Sequence, residues 1–213
     1  MKENYLKIIF VIDESGSMQG TESDVVGGFN HLIEEQKKAE FGKITVSLYK
    51  FNSQWSRVVN DLPIDEIRPL TSDDYTPGGL TALYDTIGNA IVDIQNQTHY
   101  TDPAHQASMV IMVVITDGQE NASVEYDSRK VKEMIGELEQ SKNWQFIYLG
   151  ADLKNFADAE TLGLNYKVSS RKSDLKQKFD VIAEHSVKIM MAEPSADQYT
   201  MMQDFVEDLG KEA

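Results

Sequence analysis

Two stretches of this chain are apolar for too many consecutive positions to be surface strands and too few to be helices. Residues 8–12 read Ile-Ile-Phe-Val-Ile, and residues 109–116 read Met-Val-Ile-Met-Val-Val-Ile-Thr, with nothing polar before the closing threonine. A strand with one wet face shows a polar residue at every second position, so these runs predict strands covered on both sides. Such strands sit centrally in a parallel sheet that carries helices on both faces. Each run leads into an aspartate: Asp13 follows the first, and Asp117, just before Gly118, follows the second. Parallel strands point their carboxyl ends the same way, so both carboxylates are expected at the edge where open α/β sheets hold ligands.

The rest of the chain supplies the covering helices and flanking strands. Capping residues between Thr21 and Asp24 open a helix to about residue 39, with Val25, Phe29, Leu32 and Ile33 on one face. Residues 44–51 alternate as a half-exposed strand, and 55–59 follow as its antiparallel hairpin partner at a sheet edge. A polar connection with one helical turn covers 64–74. Leu83, Ile87, Ile91 and Ile94 make the stripe of a helix over 82–97, and His99 and His105 flank Asp102 in the polar loop that follows. Beyond the second central strand, a helix opens at Ser128, a buried strand covers 146–149, a short helix 156–162, a last strand 166–169 and a long helix 173–191. Strands alternating with helices give the fold class: α/β, a doubly wound, mostly parallel sheet with helices on both faces and an antiparallel edge strand. One domain is assigned to residues 1–192. Residues 193–213 form an amphipathic helix, with Tyr199, Met202, Phe205, Val206 and Leu209 on one side. Its expected place is against the same domain, the alternative being a detachable segment for a partner.

Around Asp13 the sequence reads Asp-Glu-Ser-Gly-Ser, so Ser15 and Ser17 bracket a glycine that lets the backbone turn sharply. Thr81 follows a glycine pair at the start of a helix, where backbone N–H groups point outward. Asp13, Ser15, Ser17, Thr81 and Asp117 together offer two carboxylates and three hydroxyls. Magnesium takes near-octahedral oxygen ligands with one or two protein carboxylates, so this set suits Mg2+ or Mn2+ and leaves a coordination position open. Singly, each of these residues is an ordinary turn former; their joint placement at strand ends is what points to a cation. Glu14 and Glu120 are read as solvated loop charges, and His31 and His185 as helix residues without a metal role.

The trio Asp-x-Ser-x-Ser, a threonine in a glycine-rich helix start, and Asp-Gly after an apolar strand resembles the von Willebrand factor A-type domain, in the family's order. In that family these residues form the metal-ion-dependent adhesion site. The resemblance implies that the serines bind the ion directly, that the aspartates bind directly or through water, and that Thr81 coordinates depending on conformation. It also implies a protein partner whose carboxylate completes the shell, a binding module rather than an enzyme, and coupling of the site to a late helix in adhesion-type relatives.

Composition narrows the partners. A net charge of −15 argues against nucleic-acid phosphate, whose affinity rests on Lys and Arg. No apolar run reaches the roughly 18 residues that a membrane span needs. The chain has no cysteine, and its first residues lack the apolar length of a signal peptide, so a cytoplasmic location is expected. The rival function is a metal-dependent phosphohydrolase or phosphotransferase using Asp13 as nucleophile. Haloacid-dehalogenase-type phosphatases carry Asp-x-Asp where this chain has Ser15, which counts against it.

Overall fold

The computed structural model describes residues 5–38, 42–141, 143–150, 156–164 and 166–169, together with Phe179 and Ile182. Six strands form one sheet: β1 (Tyr5–Asp13), β2 (Lys43–Phe51), β3 (Trp55–Pro63), β4 (Met109–Thr116), β5 (Trp144–Gly150) and β6 (Tyr166–Ser169), in the order β3-β2-β1-β4-β5-β6. All neighbours are parallel except β2 and β3, which form the antiparallel hairpin expected at an edge. Helices α1 (Glu22–Lys38), α2 (Leu83–Tyr100), α3 (Ser128–Gln140) and α4 (Phe156–Thr161) connect them.

The doubly apolar strands divide their side chains between two cores. Leu6, Ile8, Phe10 and Ile12 of β1 pack on the α1 side with Val25, Phe29, Leu32 and Ile33, and the Phe10 and Phe29 rings meet edge to face at 5.1 Å. Ile9 and Val11 face the other way, with Leu83, Ile87 and Ile91 of α2 and Val131 and Ile135 of α3. From β1 the chain winds through α1 to β2 on one side, then returns through α2 to β4 on the other. The strand order therefore reverses between the carboxyl ends of β1 and β4, and a crevice opens there. Asp13 and Asp117 stand at that crevice.

Four details depart from the sequence reading. β3 continues to Pro63, because Leu62 and Pro63 still pair with Val46 and Thr45 across a register shift near Leu48. The polar pair Asn60 and Asp61 hides this second half from a reading based on alternation. α2 extends to Tyr100, so His99 lies in its last turn against the Tyr100 ring rather than in a loop. His105 closes a 3-10 turn capped by Asp102, whose carboxylate accepts from Ala104 N at 2.8 Å. Finally, β1 starts at Tyr5 and buries Lys7, whose Nζ meets Asp61 Oδ1 at 3.0 Å and Gln97 Oε1 at 3.0 Å.

Removing the carboxylate from a buried lysine leaves an uncompensated charge. Asp61→Ala is expected to lower stability by about 2 kcal/mol, less than the ~3–5 kcal/mol for fully buried pairs because Asp61 is partly in water. Urea denaturation checks this; an unchanged midpoint would mean that Lys7 needs no counter-charge. Of the long helix expected at 173–191, only Phe179 and Ile182 are described; both are helical and buried on the α1 side. His185, the amphipathic segment and the 192/193 division lie outside the described residues.

Candidate metal site

The first loop of the site grows directly out of β1. Asp13, its last residue, is wholly buried; Oδ1 accepts from Ser15 N at 2.7 Å and Oδ2 from Thr116 Oγ1 at 2.5 Å. Its backbone oxygen accepts from the hydroxyl of buried Tyr75 at 2.6 Å. A 3-10 turn at Gly16–Met18 then brings Ser17 Oγ to 2.9 Å from Ser15 Oγ. Thus Asp13, Ser15 and Ser17 share one compact turn.

Thr81 is brought to this turn by a loop fixed from several sides. Gly79 has φ 85°, and a β-carbon there would lie 2.8 Å from Ser53 Oγ, so glycine is required for both conformation and space. Leu80 N donates to Ser53 Oγ at 2.9 Å, Ala82 N to Asn52 O at 2.8 Å, and Gly78 N to Glu14 O at 2.8 Å. Across the crevice, Asn121 grips Thr81 reciprocally: Thr81 N donates to Asn121 Oδ1 at 2.9 Å, and Asn121 N to Thr81 O at 3.0 Å. The segment following Asp117 and the segment carrying Thr81 therefore form one unit.

Gly118 shows where these groups converge. A methyl group built on it would lie 2.9 Å from Thr81 Oγ1, 3.0 Å from Ser17 Oγ and 3.1 Å from Asp13 Oδ2. Three oxygens from two separate segments, the 13–17 turn and Thr81, thus surround one small space beside a third, with Ser15 beside Ser17 and Asp117 adjoining Gly118. Asp117 is itself buried. Among the described residues no three His, Cys, Asp or Glu side chains are grouped to hold a metal; the donors here are mainly hydroxyls, and all are hard oxygens.

The electrostatics favour positive charge at this pole. Burial pushes the Asp13 carboxyl above its ordinary pKa, against the hydrogen bonds from Thr116 and Ser15, and the Asp117 charge pushes it further. A nearby cation reverses both upward effects. The same negative field is felt by Tyr148, whose hydroxyl is raised first by burial and then by Asp158 and Asp13.

Several structural residues of the site were not legible in the sequence. Glu14, expected to be a solvated charge, accepts from Thr76 N at 2.6 Å and from Lys50 Nζ at 3.1 Å, and so ties down the loop before Thr81. Glu120, expected to be the same, accepts from Tyr84 N at 3.0 Å and from Ala122 N and Ser123 N at 2.8 Å each. Buried Asp85 accepts from the backbone of Val124, Glu125 and Tyr126 at 2.8–2.9 Å. The available signal was a loop, 118–127, with no apolar periodicity, whose N–H groups had to find acceptors somewhere. Thr116, the one polar residue in an otherwise apolar strand, was the other signal.

The fold recurs in solved structures. PilB minor pilin from Streptococcus sanguinis aligns with a TM-score of 0.65 at 14% identity over 90% of this chain and 64% of its own. The chain thus spans less than two thirds of that pilin. The vWF domain of the type V pili tip protein Mfa5 from Porphyromonas gingivalis aligns at 0.59 and 11% identity, over 91% of this chain and 98% of its own. The von Willebrand factor type A protein from Catenulispora acidiphila aligns at 0.57 and 14%, over 86% and 43%. No curated protein sequence matches the chain significantly. The family model for the von Willebrand factor type A domain matches residues 7–204, nearly the whole chain, and the chain belongs to that family.

Proposed function

We propose that this chain is a divalent-cation-dependent binding module, in which Asp13, Ser15, Ser17, Thr81 and Asp117 hold Mg2+ or Mn2+ and a carboxylate of a protein partner completes the shell. Domains of this family are in general protein-interaction modules. The observation that carries the cation is the meeting of Asp13 Oδ2, Ser17 Oγ and Thr81 Oγ1 around the space in front of Gly118. Hydroxyls are neutral ligands, so two carboxylates leave a divalent ion without surplus negative charge from the protein. A partner's acidic side chain can then bind without strong repulsion from the shell itself.

The geometry suits holding better than phosphotransfer. Asp13 Oδ2 faces the same space as Ser17 Oγ and Thr81 Oγ1, and two residues beyond Asp13 stands Ser15 rather than a second carboxylate that could act as acid or base in phosphotransfer. The absence of cysteine is compatible with a reducing compartment, and we assign the chain to the cytoplasm on that ground. Among the described residues no helix is long and apolar enough to cross a membrane.

Calorimetric titration tests the cation. Saturable binding of magnesium and manganese, lost in Asp13→Ala, is the expected result, with zinc no tighter because thiolate and imidazole ligands are lacking. Tighter zinc binding that survives Asp13→Ala would put the ion elsewhere.

A further inference from the structure

The loops that build the site also form its rim, and their surface has two features that the cation does not explain. The first is exposed apolar surface. Leu80, immediately before Thr81, is 54% exposed, and Val124 is 90% exposed. Single exposed apolar residues are ordinary on any surface. These two, however, lie on the paired segments that clamp Thr81: Asn121 N and Ala122 N both donate to Thr81 O, and Val124 N donates to Asp85 Oδ2 in the first turn of α2. Leu80 N is held by Ser53 Oγ. Both side chains are displayed on fixed backbone, so docking against them orders little that is not already ordered.

The second feature is charge. The four segments around the crevice, 14–24, 52–54, 72–82 and 117–126, contain no lysine or arginine. They carry Glu14, Glu22, Asp24, Asp73, Asp74, Glu120 and Glu125 besides Asp117, and Asp13 immediately precedes the first of them. Among the described residues, Lys50 is paired with Glu14 and Arg68 with Asp74, and the four segments stay net negative after both pairs are counted. A net-negative rim disfavours an acidic partner away from the cation. A highly acidic peptide is therefore a poor ligand for this face, although a carboxylate is the group the cation takes.

We propose that the partner segment carries one carboxylate for the cation, an apolar side chain beside it that packs between Leu80 and Val124, and lysine or arginine on its flanks to meet the acidic rim. This rests on the cation-dependent reading above and sharpens it from "a carboxylate" to a basic, partly apolar segment with a single acid. Leu80 and Val124 set specificity, the cation sets the requirement for the acid, and the rim charges raise the rate of encounter.

Panning a random peptide library on the full chain in magnesium, with chelator elution, tests this directly. The expected selected peptides hold one Asp or Glu next to a large apolar residue, with Lys or Arg nearby. A synthetic peptide of that consensus should bind at least about tenfold more weakly to the double variant Leu80→Ser, Val124→Ser, and should weaken as salt is raised. Magnesium affinity and melting temperature of that variant should match wild type, because both side chains are exposed and neither supplies an oxygen. Magnesium-dependent peptides that bind the double variant equally well, or that are uniformly acidic, overturn the rim proposal and leave the cation reading standing. A library that yields no chelator-released binder overturns the rim proposal, and calorimetry that finds no magnesium binding overturns the cation reading with it.

Discussion

Gly118→Ala is expected to abolish the response of the melting temperature to magnesium. A cation that binds only the folded chain stabilises it by mass action, about 2.7 kcal/mol at a concentration 100 times its dissociation constant. For a domain of this size that corresponds to a rise of roughly 5–11 °C. The added methyl would occupy the space on which Thr81 Oγ1, Ser17 Oγ and Asp13 Oδ2 converge, at 2.9, 3.0 and 3.1 Å. It cannot share that space with an ion. The variant keeps every oxygen ligand, so loss of the response would report on position and not on ligand chemistry. Crowding should also lower the stability of the metal-free chain by about 1–3 kcal/mol. Asp117→Ala supplies the complementary case, in which a ligand goes and the space remains; its response should vanish too. Circular dichroism would show whether each variant is folded, and a full magnesium shift in folded Gly118→Ala would disprove the site.

The parts of this site that were legible in the sequence are those fixed by local pattern. Asp13 and Asp117 could be placed together because each ends a strand whose neighbours are all apolar, and parallel pairing of two such strands leaves their ends little choice. Ser15 and Ser17 came with Asp13, and Thr81 came with its glycine pair and the helix after it. The fold followed from the same alternation of doubly buried strands and striped helices. What stayed hidden depends on contacts between segments far apart in the chain. Thr116 bonds Asp13 across 103 positions and Asn121 bonds Thr81 across 40. An isolated Thr, Asn or Glu in a loop has many possible partners, and only the packed structure selects one. Lys7 was hidden differently: a lysine beside an apolar run looks like the end of the strand, yet Asp61 on the far arm of the hairpin allows burial to continue past it.

Phe179→Ala is expected to lower stability more than Asp61→Ala or Gly118→Ala. Phe179 is wholly buried in the core that includes Phe29 and Leu32 of α1. A β-carbon on Gly28 would stand only 2.2 Å from its ring, so the helix surface is hollowed at Gly28 to receive it. Truncating a buried phenylalanine costs about 3–5 kcal/mol through lost transfer energy and the cavity left behind. At roughly 2–4 °C per kcal/mol the melting temperature should fall by about 6–20 °C. Gly28→Ala should also destabilise, because the clash is with a ring enclosed on all sides rather than the free end of a flexible chain. These costs bear on whether the segment around Phe179 can be displaced when a partner binds at the cation. A movement that exposed Phe179 would have to be driven by a comparable difference in partner affinity between the two states, and that difference is the coupling itself. With Phe179 as plain core, Phe179→Ala lowers stability and leaves the magnesium and peptide affinities of the folded fraction unchanged. With a displaced helix as the high-affinity state, the same variant is easier to displace and binds peptide more tightly than wild type. The burial of Phe179 against Gly28 of α1 makes unchanged affinity the expected result, and a gain in affinity would establish the switch.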